Sequence, residues 1–250
     1  AFSCSHRKQA SVHSITKFVK KSYAGPLLKK EITAINLVIK NKKEPVTCII
    51  GGSKISTKIN VITNLLKKVN NIVIVGAMAN NFFVHKNLKV GKSLIEKNTK
   101  EIIANIYKKA EEHNCKILIP EDCMVGTDFE GTGKNKNLDE IQENEIILDI
   151  GFNTIKKIQK KINESNTVLW NGPAGYFENK NFSKGTFALA KKISDNTNSD
   201  SLISIVGGGD TISSIKNNGL NLNFTHLSTA GGAFLEYIEG KNLPGIEVLK

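Results

Sequence analysis

The chain alternates between two kinds of segment, and this alternation constrains its fold more than any other feature. Short apolar runs rich in β-branched residues occupy residues 45–50, 71–75, 115–119, 167–170, 202–206 and 224–227. Most end in turns that carry glycine: Gly51-Gly52, Gly76, Gly172, Gly207-Gly208-Gly209, and Gly231-Gly232 a few residues on. β-Branched side chains suit a pleated, half-buried surface, so these runs read as strands. Between them, apolar residues recur at helical spacing, as in Ile59, Val61, Ile62, Leu65 and Leu66, and bury one helix face. Strands alternating with helices predict a doubly wound α/β fold: a parallel sheet with helices on both faces. Ligands of such sheets sit beyond the carboxyl ends of the strands.

The helices are expected at 26–40, 59–66, 78–84, 95–113, 152–163 and 183–193, after Gly209, and after a last opening at 228–233. Gly25-Pro26 opens the first, with proline tolerated in the first turn. Leu27, Leu28, Ile32, Ile35 and Ile39 give it an apolar face. Residues 1–20 are short on regular signals, and the polar stretch 130–144 reads as a loop.

Several junctions carry chemistry. After the run ending at Val206 come Gly207, Gly208, Gly209, Asp210 and Thr211. A strand, a glycine turn and a helix start together present free backbone N–H groups and the positive end of a helix dipole to an anion. Asp210 adds an oxygen ligand of the kind magnesium favours. No GKS or GKT follows, so this is not a Walker A loop, and the spacing does not fit GxGxxG; a plain tight turn is the alternative. Lys54 and Lys58, after Gly51-Gly52, are four residues apart and would stack on one helix face. An anion between them would relieve their repulsion; a pair of surface lysines is the alternative. Asn171-Gly172-Pro173 is a turn signal, and Glu178 follows Tyr176 and Phe177. A carboxylate beside apolar surface can bond a sugar hydroxyl while a base packs nearby. His6-Arg7 is a cationic pair, either a solvated turn or an anion contact at a cleft edge.

The net charge of +12 invites a nucleic-acid reading. Arg7, however, is the only arginine among 35 basic residues. Base readout leans on the planar arginine fork that lysine lacks, so a solvated lysine-rich surface is the better account. It would also draw a small anionic substrate. Cys4, Cys48, Cys115 and Cys123 show no CxxC spacing, and His113 with Cys115 lacks further metal ligands. Cys48 and His226 read as core residues, and the thiols fit a reducing compartment. No apolar run approaches the roughly 20 residues of a membrane span. A soluble, cytoplasmic protein is the expectation. Because the chain starts at Ala1, with no Met, inside what reads as a structured segment, it is expected to be a piece of a longer protein.

Taken in order, these motifs resemble the C-terminal, nucleotide-binding half of phosphoglycerate kinase, in wording closest to bacterial members. The resemblance rests on Ala1-Phe2 with His6-Arg7, Gly51-Gly52-Ser53-Lys54 with Lys58, and Val90-Gly91-Lys92-Ser93-Leu94. It continues through Trp170-Asn171-Gly172-Pro173 to Phe177-Glu178, Gly207 to Thr211, Ser228-Thr229 with Gly231-Gly232, and Glu239-Gly240 to Leu243-Pro244-Gly245. Each motif alone is weak; the ordered set is specific and spans essentially the whole chain.

The resemblance implies a Rossmann-like fold. It also implies reversible phosphoryl transfer between ADP and 1,3-bisphosphoglycerate, giving ATP and 3-phosphoglycerate, with Mg2+ as cofactor. By matching position, Lys58 would contact the nucleotide phosphates and Lys54 would follow the migrating phosphoryl group. Glu178 would hold the ribose, near Asn171. Gly208, Gly209, Asp210 and Thr211 would form the phosphate loop, with Asp210 towards magnesium. Gly231 and Gly232 would supply amides to the transferring group, and Arg7 with His6 would face the phosphoglycerate side. Residues 1–22 would be the last segment of an N-terminal phosphoglycerate domain otherwise missing from the chain. Residues 23–40 would be the interdomain helix and 41–250 the nucleotide domain, the whole a monomer. Ser3, Val75, Ala77 and Ala230 stand where the family usually has glycine. A catalytically inactive nucleotide-binding module is the alternative function.

Overall fold

The computed structural model describes residues 1–216, 221–228 and 230–249. Its strands, in chain order, are β1 (Val46–Ile50), β2 (Asn71–Ile74), β3 (Lys116–Leu118), β4 (Asp122–Gly126), β5 (Lys134–Asn137), β6 (Ile146–Ile150), β7 (Thr167–Asn171), β8 (Ile203–Gly207) and β9 (His226–Ser228). The helices are α1 (Pro26–Ile39), α2 (Ile59–Leu66), α3 (Ala79–His85), α4 (Lys100–Glu112), α5 (Phe152–Asn163), α6 (Lys184–Asn198), α7 (Gly209–Lys216), α8 (Gly232–Ile238) and α9 (Pro244–Glu247).

Six strands form one sheet in the order β3-β2-β1-β7-β8-β9, and every neighbouring pair is parallel. Strand residues point alternately to opposite faces, and both faces are covered. Cys48, Ile50, Ile72, Ile74, Leu169 and Ile205 pack in one core with Ile35 and Val38 of α1, Leu65 of α2, Ile106 of α4 and Phe234 of α8. Ile49, Val73, Val168, Trp170 and Val206 pack in the other with Ile162 of α5, Ile193 of α6 and Ile215 of α7. Burial on both sides explains why these strands are continuously apolar rather than alternating.

The chain winds outward from β1 to β3, leaves the sheet, and returns beside β1 as β7. Between β1 and β7 the winding direction reverses. A crevice opens at such a point beyond the strand ends.

The excursion between β3 and β7 corrects one expectation. Residues 130–144 are not a plain loop: β5 lies among them and pairs antiparallel with β4, which pairs with β6. The Lys-Asn-Lys-Asn sequence of β5 has no apolar alternation to announce a strand; its ladder with the buried β4 makes it one. Other boundaries move as well. The helix expected from residue 95 starts at Lys100, because residues 93–96 have no regular structure and Lys97-Asn98 form a turn, with Asn98 at φ 59°. The strand expected at 224–227 is β9, beginning at His226. The expected last helix, α8, is followed by α9. Leu27 is 76% exposed and does not belong to the buried face of α1, which Leu28, Ala34, Ile35 and Val38 form.

His226 and Cys48 are buried, as expected of core residues. The His226 ring nitrogen Nε2 lies 2.8 Å from Glu31 Oε2, tying β9 to α1. All four cysteines are free. Residues 1–20 hold two 3-10 turns, Phe2–Cys4 and Ser14–Phe18. Phe2 is buried edge-on against Tyr237 of α8. No described helix is long and apolar enough to cross a membrane.

Candidate active site

Three loops leave the carboxyl ends of β1, β2 and β7 and pack backbone against backbone. The ladder continues one residue past β1 through the bond from Gly51 N to Asn171 O, at 2.8 Å. A Cβ on Gly51 would stand 2.2 Å from the Pro173 carbonyl oxygen, so only glycine fits. Gly76 N donates to Ala174 O, and Met78 N donates to Gly52 O. The Trp170 indole N–H donates to Gly172 O at 2.8 Å and braces the turn from beneath.

Beside these loops lies a cleft of about 550 Å³. Its floor is backbone, from Gly52, Gly76 and Pro173 to Tyr176, and its walls are largely apolar, from Phe83, Leu94, Phe129 and Ile147. The carboxylate residues Glu178 and Asp210 also line it. Such a cavity, apolar with a few polar groups, is the usual form of a small-molecule site. No motif in the residues marks Phe129 or β6 (Ile146–Ile150) as a wall of the cleft. The β4–β5–β6 sheet brings them there, and only the pairing of its strands does so. Leu94 sat in a matched motif without an assigned role.

One network organises the side of the cleft formed by the glycine turns. Lys58, at the start of α2, donates through Nζ to Asn171 Oδ1 at 2.6 Å. The other end of that carboxamide, Nδ2, donates to Gly207 O at 2.7 Å. Thr211 Oγ1 donates to Gly207 O at 3.0 Å and accepts from Gly172 N at 2.7 Å. Asn171 and Thr211 are almost fully buried. Both are therefore wall rather than surface: they lock the β7 and β8 turns together and aim Lys58. Thr211 can offer a ligand its backbone N–H but not its hydroxyl. Burial lowers the pKa of the Lys58 ammonium from its usual value, while the charges of Asp210 and Glu239 work the other way. One N–H of the ammonium goes to Asn171, and the rest remain for other acceptors.

The glycine turn after β8 has two kinds of glycine. Gly208 has φ +103°, and a Cβ there would lie 2.6 Å from Asn171 Nδ2. Gly209 has nothing within 4 Å of where a Cβ would stand, and neither does Gly231. Gly209 opens α7, and Gly208 O accepts from Ile212 N at 3.0 Å. The first amides of this helix therefore have no intrahelical acceptor and border open space. Asp210 is exposed in the same turn. Among the described residues no group of three His, Cys, Asp or Glu side chains could hold a metal alone.

Lys54 is not on the helix with Lys58. It lies in the loop before α2 and is exposed, so the two ammonium groups do not stack as helix neighbours. Its carbonyl accepts from Thr57 Oγ1 at 2.9 Å. Glu178 is exposed at the cleft, beside Tyr176, whose ring meets Phe129 edge-on at 5.1 Å. His6 reaches α8: its Nε2 is 3.0 Å from the position a Gly232 side chain would take. Arg7 Nε donates to that same nitrogen at 3.4 Å, so the cationic pair stands beside the Gly231-Gly232 helix start. Thr229 lies outside the described residues.

Of the positions where glycine is usual in the resembled family, Val75 and Ala230 are buried in the two cores and Ser3 is exposed. Only Ala77 lines the cleft.

Comparison with known proteins agrees with this geometry. The family model described as phosphoglycerate kinase matches residues 1–241. Over its full length the chain is 43% identical to phosphoglycerate kinase of Wolbachia pipientis wMel and 40% identical to that of Methylorubrum populi, covering 63% of each. It thus spans somewhat under two thirds of the curated relatives it matches. Phosphoglycerate kinase from Coxiella burnetii superposes with a TM-score of 0.93 at 39% identity, over all of this chain and 64% of that one. The enzyme from Pyrococcus horikoshii gives 0.83 at 29%, over all of this chain and 62% of that one. With a parallel sheet whose strand ends border the cleft, and a family match over nearly its whole length, the chain belongs to the phosphoglycerate kinase family.

Proposed function

We propose that this chain is the nucleotide-binding half of a phosphoglycerate kinase. The reaction moves a phosphoryl group from the acyl phosphate of 1,3-bisphosphoglycerate to the terminal oxygen of ADP. The acyl P–O bond breaks, 3-phosphoglycerate leaves as a carboxylate, and ATP forms. Transfer of this kind needs positioning and charge stabilisation more than covalent help.

The observation that carries the reading is the junction of a base-sized apolar cleft with Lys58 and the open amides of α7 at one topological switch point. In this reading the base lies against the loop backbone of the cleft and Glu178 bonds the ribose. Lys58 and the amides of Gly209, Asp210 and Thr211 take the phosphates. Asn171 serves by aiming Lys58. Lys54, unconstrained by any ion pair of 4.0 Å or less among the described residues, follows the phosphoryl group as it moves. Gly231 and Gly232 receive that group, and Arg7 and His6 face the second substrate.

Magnesium fits this donor set in one way. Mg2+ is commonly held by one or two carboxylates together with substrate phosphates, and the exposed Asp210 supplies one carboxylate beside the phosphate-facing amides. The ion would screen phosphate charge when bound.

Residues 1–22 belong in this reading to a second, phosphoglycerate-binding domain, 23–40 to the interdomain helix and 41–250 to the nucleotide domain. Support comes from the N-terminal stretch, where Phe18 is 85% and Tyr23 78% exposed, an apolar surface suited to covering by further chain. The working enzyme is read as a cytoplasmic monomer. Calorimetric titration of the purified chain with Mg-ADP tests the proposal: saturable one-to-one binding is expected, and no binding by a folded chain would overturn it.

A further inference from the structure

Residues 92–99 run between α3 and α4 as an irregular strap. Two consecutive asparagines of α3, Asn80 and Asn81, hold it. Asn80 Nδ2 donates to Leu94 O at 3.0 Å, and Asn81 Oδ1 accepts from Glu96 N at 2.9 Å. Both asparagines are buried, Asn80 completely. Thr99 Oγ1 adds a third tie to Asn81 Oδ1 at 3.3 Å. The strap thus has its backbone fixed at Leu94 and Glu96, and these two residues face different tasks.

Leu94 lines the apolar cleft. Glu96 reaches the loop before α2 and accepts twice from Ser56: from the backbone N–H at 3.0 Å and from the hydroxyl at 2.5 Å. Ser56 stands midway between Lys54 and Lys58. Within that loop Thr57 Oγ1 donates to Lys54 O, and Lys58 N donates to Ile55 O at 2.8 Å. The Ile55 side chain is fully buried and anchors the loop from below. Glu96 is the contact that grips its outer side.

We infer that Glu96 is a positioning residue for phosphate binding: through Ser56 it sets the Lys54–Lys58 loop, and through the strap it ties that loop to the base-facing wall at Leu94. The inference rests on the nucleotide reading above and deepens it. Charge-assisted hydrogen bonds are about twice as strong as neutral ones, and a carboxylate with two donors on one residue fixes direction as well as distance. Burial opposes the charge of Glu96, but its hydrogen bonds with Ser56, together with the Ile55 backbone and the charge of Lys54, outweigh that and hold the carboxyl below its usual pKa. A lysine loop already in place spares the ordering cost that a free one would bring to binding.

A purely structural brace would affect stability, or all ligands alike. Positioning of the lysine loop predicts a loss confined to ligands that carry phosphate. The test compares Mg-ADP with adenosine on the purified chain, for wild type, Glu96→Gln, Ser56→Ala and the double variant. Glu96→Gln is expected to weaken Mg-ADP by about tenfold, the scale of one charge-assisted hydrogen bond, and to change adenosine affinity by less than about twofold. Ser56→Ala should weaken Mg-ADP in the same direction, and the double variant should be no worse than the poorer single one, because the two residues act through one contact. Thermal melts of each variant identify any that do not fold; Ser56→Ala carries the test if Glu96→Gln fails. Unchanged Mg-ADP affinity, equal loss for adenosine, or additive losses in the double variant would overturn the inference. If wild type binds adenosine but shows no gain for Mg-ADP, the phosphate reading beneath it falls, and the inference with it.

Discussion

Lys58 Nζ and Asn171 Oδ1 meet at 2.6 Å across the one place in the sheet where the winding reverses. The lysine follows β1 and the asparagine ends β7, more than a hundred residues later. The contact makes the placing of the Lys58 ammonium depend on the pairing of two strands distant in sequence. Asn171 is itself held by Gly207 of β8, so three adjacent strand ends fix one ammonium group.

Two substitutions separate these roles. Lys58→Ala should weaken Mg-ADP by about ten- to a hundredfold, the range for a hydrogen bond to a charged group, with little loss of stability. Asn171→Ala should weaken Mg-ADP less and also destabilise the fold by about 0.5–1.5 kcal/mol, the net worth of one hydrogen bond, because the Gly207 carbonyl keeps only its Thr211 donor. Calorimetry and urea unfolding on both variants check the division.

Lys54→Ala should behave differently from Lys58→Ala. Lys54 is exposed and not bonded into the wall, so its charge matters mainly as the phosphoryl group moves. Mg-ADP affinity should stay within a few-fold of wild type. In the whole enzyme, turnover should fall by about three orders of magnitude, the scale of losing one positioned cation in such reactions. Equal losses of affinity in the two lysine variants, with turnover per bound nucleotide unchanged, would count against the assignment.

Two glycines give opposite predictions. Gly51→Ala would drive a methyl group to 2.2 Å from Pro173 O. Overpacking of this kind costs about 1–3 kcal/mol or more, and the lower urea midpoint would show it. Gly209→Ala meets nothing within 4 Å and should fold at least as stably, since alanine is the better helix residue. Its methyl group occupies the space where phosphate is expected, so Mg-ADP affinity should fall while stability does not.

Asp149 should make stability depend on pH. It is buried among β6, α6 and the turn at Gly175, accepting from Ile150 N at 2.8 Å and Gly185 N at 2.7 Å. Burial pushes its carboxyl from 3.8 up to about 7, against the pull of those amides and of Lys184. Between these two values the folded form holds a proton that the unfolded chain has released, so folding is most favoured at the acid end. Its contribution is lost as pH rises towards 7, by at most about 1.4 kcal/mol per pH unit. Asp149→Asn removes this slope while sacrificing an acceptor. Urea unfolding at pH 5, 6 and 7 should therefore show the wild type losing stability relative to the variant. Parallel profiles would place the titration elsewhere.

The 250-residue chain should bind Mg-ADP without measurable ATP formation from 1,3-bisphosphoglycerate. Transfer requires donor and acceptor within about 3–3.5 Å in line, and Arg7 is the only arginine available to hold phosphoglycerate. An open site also leaves water to screen the charges that would stabilise the transition state. A coupled assay on chain free of host kinase checks this; turnover near that of an intact enzyme would show that the chemistry resides here.

The sequence by itself determined the layered sheet. Its apolar runs, such as Val46–Ile50 and Thr167–Asn171, are buried along their whole length, and that burial is written locally in consecutive apolar residues. The helix of residues 152–163 was likewise legible to the residue, because Ile158 and Ile162 lie one turn apart on one face. The order of glycine turns also placed the cleft's floor. Local pattern carries no information about which distant group will satisfy a polar atom, and there the tertiary structure decided. It turned the Thr211 hydroxyl inward to Gly172, put Lys54 in a loop rather than on a helix, and made a strand of the polar β5 by pairing it with β4. It also closed the cleft with Phe129 and Leu94. Each of these depends on a hydrogen bond or a packed face supplied from far along the chain, and such contacts leave no periodicity in the residues that receive them.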